Sequence, residues 1–527
     1  MDAISQLDRD TSLALATIRE WRNSFAPVNR VPVDILSLIP THLSQDYLFR
    51  AAFVCRHWRR TFLEHGMLWS KIFLKKGKVY VKTLLERAKG SLLDVSIDQD
   101  VPIDTITLLS PYTQQIGYLE FRRNYWEGIR KYSQVNPGPL PLLRTLTISS
   151  YEPDDGSQPT ITTPPQSPLF TNAVNVEEFT FNSRRFQFLN HFIFPNLTTF
   201  TLWTGEITRP RASDLFNFLK ASPMLRTVRI STNDGIALGD IPWEMVVALP
   251  NVETFQLMGE TKNIYDVAVH ISCPSARNVS FTYQIPDIDM LPGREIFSTS
   301  IPWSTIIRQY TRDLPVEEVA LEVRPLYDPC SLTFRSSDAS TISLGFELIP
   351  VSDDMDELDI DYEEADRDIF SQGFQVIRTH PLLPNVKRLH IRRGYPGFYI
   401  LEMQPFVTEI ERTFGHVGSL DELIINGCDL EPYLAAFENL DDSGKLVVFP
   451  PIKELTILHP WMEVTEEDCM DAIVGIAKSQ HTRGKPFERV TVRANKIPVT
   501  MAERLRQWAR VADCYVEDMP DVGDWEL

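Results

Sequence analysis

Nothing in this chain of 527 residues approaches the ~18 consecutive apolar residues of a membrane-spanning helix. No charged-then-apolar leader opens it, so neither a membrane span nor a signal peptide is expected. Cysteine is scarce: six residues (55, 273, 330, 428, 469, 514) with no CxxC pair and no regular spacing. That excludes a disulfide framework or a zinc ribbon and predicts reduced thiols in a cytoplasmic or nuclear protein. The sequons at Asn196 and Asn278 are then chance matches. Catalytic signatures are missing as well. There is no HExxH, GxSxG, GxxxxGK[ST] or helix-opening GxGxxG, and the ten histidines include no i, i+4 pair. Cys55 and His57 stand two residues apart, which points them away from each other on a helix. The expectation is a non-enzyme with no metal and no cofactor.

Positive charge is also in short supply, since 52 Lys/Arg face 71 Asp/Glu for a net charge of −19. The deficit is uneven. Residues 29–78 hold nine Lys/Arg and three Asp/Glu, or +6, leaving −25 for the rest. A broad basic surface for phosphate binding is therefore not expected, and nucleic acid is excluded as the main partner. The basic segment suits an acidic partner; the plainer alternative is a solvated helix face.

What is present begins with a heptad over residues 2–25: Ile4, Leu7, Thr11, Ala14, Ile18, Trp21, Phe25. It predicts one helix ended by Pro27, folding back onto neighbouring structure rather than forming a long coiled coil. The following stretch, Val31–Leu74, carries apolar residues at helical spacing in three short segments divided by Pro40, Ser44 and Gly66. Leu48, Ala51, Ala52, Cys55 and Trp58 are read as one helix, apolar on more than one side. About 45 residues cannot bury that much apolar surface internally, so a partner is required.

These residues resemble a known family. Val31-Pro32, the Asp34-Ile35 pair, Leu48, Val54-Cys55-Arg56-x-Trp58-Arg59 and Leu68-Trp69 follow the order of an F-box, with Val31 replacing the commoner leucine and Pro40 interrupting the end of the first helix. The resemblance implies an all-α domain docking on the Skp-family adaptor and, through it, a cullin. The residues it assigns to docking are Val31, Pro32, Ile35, Leu36, Leu48, Val54, Trp58, Leu68 and Trp69. Some of these must form the domain's own core.

From Gly90 a second pattern runs almost to the end: apolar-x-x-apolar-x-apolar, with first residues at 92, 116, 143, 176, 197, 225, 252, 276, 316, 339, 386, 420, 452 and 487. Those 13 intervals span 395 residues, about 30 each. Proline stands two residues before seven of the fourteen anchors, where 37 prolines in 527 residues would give about one. Proline there stops a helix and keeps its nitrogen off a strand ladder. Helices are predicted over 213–219, 243–249 and 468–478, the last opened by a capping box at Thr465–Asp468. Strand and helix alternating at this period resemble the degenerate leucine-rich repeats of many F-box receptors. The usual asparagine is mostly missing, with Asn233 a candidate survivor.

The expected fold is α/β: a helix in 1–28, an F-box over 29–78, an irregular leucine-rich-repeat solenoid with a parallel sheet over 79–515, and a tail over 516–527. Two insertions interrupt it, a Pro/Ser/Thr loop at 151–168 and an acidic loop at 353–368 with ten carboxylates and no glycine where a calcium loop needs one. Residues between the anchors should face the open side of the sheet. There Arg229, Gln256, Asn278, Arg388 and His390 are candidates to hold a protein substrate. By resemblance the chain is a substrate receptor of a Skp–cullin–F-box ubiquitin ligase, acting by proximity. Two alternatives stand: a scaffold with no part in ubiquitin transfer, and a solenoid enzyme or ligand receptor lacking known motifs.

Overall fold

The computed structural model describes residues 3–25, 31–43, 45–123, 125–136, 138–149, 170, 173–182, 189–204, 212–232, 245–259, 264, 267–285, 310, 316–323, 330–336, 341–348, 386–393, 420–426, 430, 434, 437–438, 452–458, 466–494 and 497–516. The two insertions, Asn233, Thr465 and residues 517–527 of the tail lie outside this set. The chain is mixed α/β, with a helical N-terminal region followed by parallel sheet. Two compact units form, Met1–Arg184 with Asn190–Thr201, and Arg185–Leu189 with Leu202–Leu527.

In the first unit, helix α1 (Ala3–Ser24) precedes three short helices, α2 (Val33–Leu38), α3 (Gln45–Ala51) and α4 (Arg56–Glu64). Then come strand β1 (Lys71–Phe73), helix α5 (Lys78–Ala88) and strands β2 (Leu93–Asp98), β3 (Ile116–Arg122), β4 (Thr145–Ser149) and β5 (Glu178–Asn182). The five strands pair in sequence order, all parallel. Register aligns the apolar positions into ladders. Ile72, Val95, Leu119, Leu146 and Phe179 form one row and Ile97, Phe121, Ile148 and Phe181 the next, each at most 1% exposed. Phe179 sits at the hub of a ring cluster, 5.1 Å from Phe192 and 5.2 Å from Phe194 between centroids.

In the second unit Thr227–Thr232, Thr254–Gly259 and Asn278–Ile285 pair parallel and in order. The order then breaks, against the expectation of a simple succession. Thr341–Leu348 is the next neighbour, followed by Cys330–Ser336 and Val316–Val323, with Cys330–Ser336 antiparallel to both. A tight reversal allows such a meander, whereas parallel neighbours need a crossover. Parallel order resumes with Arg388–Arg393, Glu422–Asn426, Glu454–Leu458, Arg489–Ala494 and Val511–Val516.

The prolines do something more specific than stop a helix. The amide of each anchor Leu143, Leu197, Leu225, Val252 and Ala276 bonds the carbonyl three residues earlier. That closes a β-turn whose second position is Pro141, Pro195, Pro223, Pro250 or Pro274, where the fixed φ of proline is already correct. Turns also stack on turns. Asn175, Asn196 and Asn251, each in the third position, donate side-chain Nδ2 to the carbonyls of Pro141, Val174 and Pro223 at 2.7, 2.9 and 3.0 Å.

Four local expectations are corrected. Leu92 is 50% exposed and Leu93 takes the buried place, so the first anchor lies one residue later, and the one-residue shift exchanges faces on a strand. Residues 247–248 form a short strand parallel to Ile271–Ser272 instead of belonging to a helix. Leu48 and Trp58 belong to different helices, because the chain turns at Ala52–Cys55 and Cys55 caps α4, its Sγ accepting from the Trp58 amide at 3.5 Å. The heptad seam of α1, expected to fold back onto the F-box or onto the adaptor, is exposed, with Leu7 at 67%, Ile18 at 60% and Trp21 at 67%, so it is not buried against the F-box. The helices at 213–219 and 468–478 do form, as Ala212–Lys220 and Glu466–Thr482.

Replacing Phe179 by alanine should cost about 3–5 kcal/mol through lost contacts and the cavity left behind. Asn196→Ala should cost about 1 kcal/mol, one hydrogen bond. Hydrogen-exchange protection across Glu178–Asn182 reads both, and equal effects would contradict this ranking.

Candidate docking surface of the helical region

Trp69 is the keystone of the helical region. It is fully buried, its indole Nε1 donates to the Phe62 carbonyl at 2.8 Å, and its ring lies 5.1 Å from Phe49. The Arg87 guanidinium of α5 stands 4.7 Å over the same ring. Gly66 allows the chain to pass this helix closely, since a Cβ there would meet the Ala88 carbonyl at 2.3 Å. Trp58 packs against Phe62 at 5.5 Å, completing the core with Leu36 and Leu48. Among the nine residues assigned to docking, Leu36, Leu48, Trp58 and Trp69 are therefore internal, at most 9% exposed. Pro32, Ile35 and Val54 face solvent, and Val31 and Leu68 are half-buried.

Five further large apolar side chains lie exposed in the same region: Leu38 at 60%, Ile39 at 36%, Tyr47 at 58%, Phe53 at 71% and Met67 at 76%. Ile35, Leu38 and Ile39 fall at i, i+3 and i+4, so they share one side of α2 and its continuation, with the buried Leu36 turned inward at its edge. Phe53 and Val54 occupy the turn between α3 and α4. Arg59 fixes that turn, its Nε donating to the Ala52 carbonyl at 3.2 Å and its guanidinium lying 4.9 Å from the Phe53 ring. A turn held this way presents an aromatic side chain to water with little freedom left to lose on binding. The helical period of α2 makes Leu38 and Ile39 legible in sequence. Phe53 is not, because reading through the turn as helix hides it.

A family model described as F-box-like matches residues 28–75, the stretch just described. The chain carries an F-box-like domain. No curated protein matches the chain. No helix among the described residues is long and apolar enough to cross a membrane. The match covers the core residues and the exposed face together, so the F-box-like domain includes both sets.

The five substrate candidates do not converge. Arg229 and Gln256 are direct neighbours in register, whereas Asn278 pairs with Thr254, two residues along the strand. Arg388 and His390 lie on a strand separated from Asn278–Ile285 by three others, roughly 19 Å away at the usual spacing. Arg388 is also engaged within the fold, its Nη1 standing 3.4 Å from the nearly buried Glu318 carboxylate, which Arg335 holds from the other side at 3.0 Å. Among the described residues no cluster of His, Cys, Asp or Glu could hold a metal ion. Burial pushes the Cys273 thiol up to about 12 and the Tyr310 hydroxyl well above its usual value, whereas Lys453 is raised by its hydrogen bond with Asp421. A thiol so raised is protonated near neutrality and is a poor nucleophile.

Trp69→Ala should remove about 3–5 kcal/mol from the F-box-like domain and abolish its exchange protection, whereas Phe53→Asp should leave the helical circular dichroism unchanged. Cys273 should resist iodoacetamide at pH 8 in the folded protein and react once denatured, as read by mass spectrometry.

Proposed function

We propose that the chain is the substrate-recognition subunit of a Skp–cullin–F-box-type ubiquitin ligase, with the F-box-like domain binding the Skp-family adaptor. The observation that carries this reading is the exposure of Ile35, Leu38 and Ile39 on α2 and its continuation and of Phe53 and Val54 at the α3–α4 turn, on a domain whose own core is already closed by Trp58 and Trp69. Burying one such side chain is worth about 1.5–3 kcal/mol, so five of them meet an association cost of roughly 4–15 kcal/mol. Basic residues Arg50, Arg56, Arg59 and Arg60 on α3 and α4 suit an acidic adaptor and would speed its capture. The adaptor connects to a cullin, and the strand-rich remainder, in this proposal an irregular leucine-rich-repeat solenoid, holds a protein substrate. Its contribution is proximity: the receptor raises the effective concentration of substrate lysines and transfers nothing itself. It works in the cytoplasm or nucleus, where its thiols stay reduced.

The second reading, an F-box scaffold without ubiquitin transfer, makes the same adaptor contact. The two separate on whether cullin and ubiquitin conjugates co-purify with the chain.

Co-expression with a Skp-family adaptor should give a stable complex. Ile35→Asp and Phe53→Asp should each weaken capture at least tenfold while circular dichroism stays at the wild-type value. Full capture by both variants would overturn the docking face.

A further inference from the structure

The C-terminal ends of β1–β3 meet at a cavity of about 400 Å³ lined by Phe73, Lys75, Lys76, Ser96, Asp98 and Arg122. That is the size of an ordinary ligand pocket. Asp98 lines it at 12% side-chain exposure, and a second carboxylate, Glu120 at 10%, bonds the lining side chains. Each is held by cations. Arg122 Nε stands 2.8 Å from Glu120, which also accepts from Ser96 Oγ at 2.7 Å. Lys75 and Arg123 stand 3.6 and 3.8 Å from Asp98. Asp94, the next carboxylate along β2, faces Lys71 instead.

Among the described residues that line the cavity, Lys75, Lys76 and Arg122 are cationic and Asp98 is the carboxylate, with Glu120 bonded to Arg122 and Arg123 to Asp98 outside the lining. The carboxylates meet the inner edges of cations whose side chains remain 46–57% exposed for Lys75, Arg122 and Arg123. A guanidinium carries five N–H donors in a fixed fork, and Glu120 engages Arg122 through Nε, so its outer edge is oriented for a second acceptor. The Phe73 ring, 5.7 Å from the same guanidinium, adds a flat apolar wall. From Arg122 the register continues to Ser149 and Asn182, half-exposed side chains that hydrogen-bond readily.

We infer that this cavity binds the carboxylate of an acidic residue in an extended peptide, with the flanking chain lying along the Ser149 and Asn182 row. The peptide is a segment of the substrate, so the assignment rests on the receptor reading above and gives it a substrate class. It also relocates recognition from the scattered candidates of the second unit to the end of the sheet that follows the F-box-like domain.

The test uses the full chain and fluorescence anisotropy with three labelled ten-residue peptides: alternating Glu and Ser, the same with Gln for Glu, and the Gln peptide bearing one phosphoserine. The Glu peptide should bind, with the Gln peptide at least tenfold weaker. Lys75→Glu and Arg122→Gln should each weaken the Glu peptide at least tenfold. Lys75 is exposed, so its variant keeps the fold even if loss of Arg122 strains the buried Glu120. No binding of the Glu peptide, equal binding of Glu and Gln peptides, or indifference to Lys75→Glu overturns the assignment. Binding of the phosphoserine peptide alone overturns the carboxylate class. Adaptor capture is measured on the same preparation. Capture without peptide binding sinks the cavity alone, and peptide binding without capture sinks the receptor reading alone.

Discussion

At seven strand entrances among the described residues one carbonyl oxygen serves two amides of the next strand, and much of the architecture follows from that arrangement. The Arg144 carbonyl accepts from the Glu177 and Glu178 amides, Glu177 from Thr198 and Thr199, and Arg226 from Glu253 and Thr254. Glu253, Lys387, Asp421 and Lys453 repeat it farther along. A forked bond of this kind fixes both the spacing and the register of the incoming strand. Register in turn decides which side chains reach the core, because a one-residue slip would turn every apolar row outward. Pro-led turns stand directly upstream of Thr198, Glu253 and Arg277 and aim those segments at their carbonyls.

Side chains reinforce the same edge. Arg144–Glu177, Arg226–Glu253 and Lys453–Asp421 place opposite charges on successive strand entrances, at 2.6, 3.9 and 2.7 Å. These pairs are exposed and each contributes little energy. Their value is directional, since like charges at neighbouring entrances would disfavour the register that the backbone bonds require. The asparagines that bridge consecutive turns act in the same sense.

The F-box-like domain obeys a different logic. It is too small to bury its apolar residues, and its three short helices sort them into an inner set around Trp69 and an outer set around Ile35 and Phe53. The inner set joins α5 through Arg87 and Gly66, so the domain is continuous with the structure that follows it. A face that stays apolar on a settled core is the physical signature of a partner surface.

The sequence by itself determined most of the strand positions, the prolines ahead of them and the F-box-like motif, because each rests on local rules. Apolar spacing of three and two puts Leu146 and Ile148 inward whatever lies beside them, and Pro141 favours its turn in any context. What only the tertiary structure decided was the partner of each group. Leu92 and Leu93 are equally apolar and only packing selects the second. Leu36 and Ile35 are adjacent, and only the neighbouring helices make one core and the other surface. The antiparallel insertion at Cys330–Ser336 depends on a non-local choice of neighbour that no local pattern encodes. The cavity beside Phe73 gathers residues up to 49 positions apart, and its charge balance exists only where three strands end together.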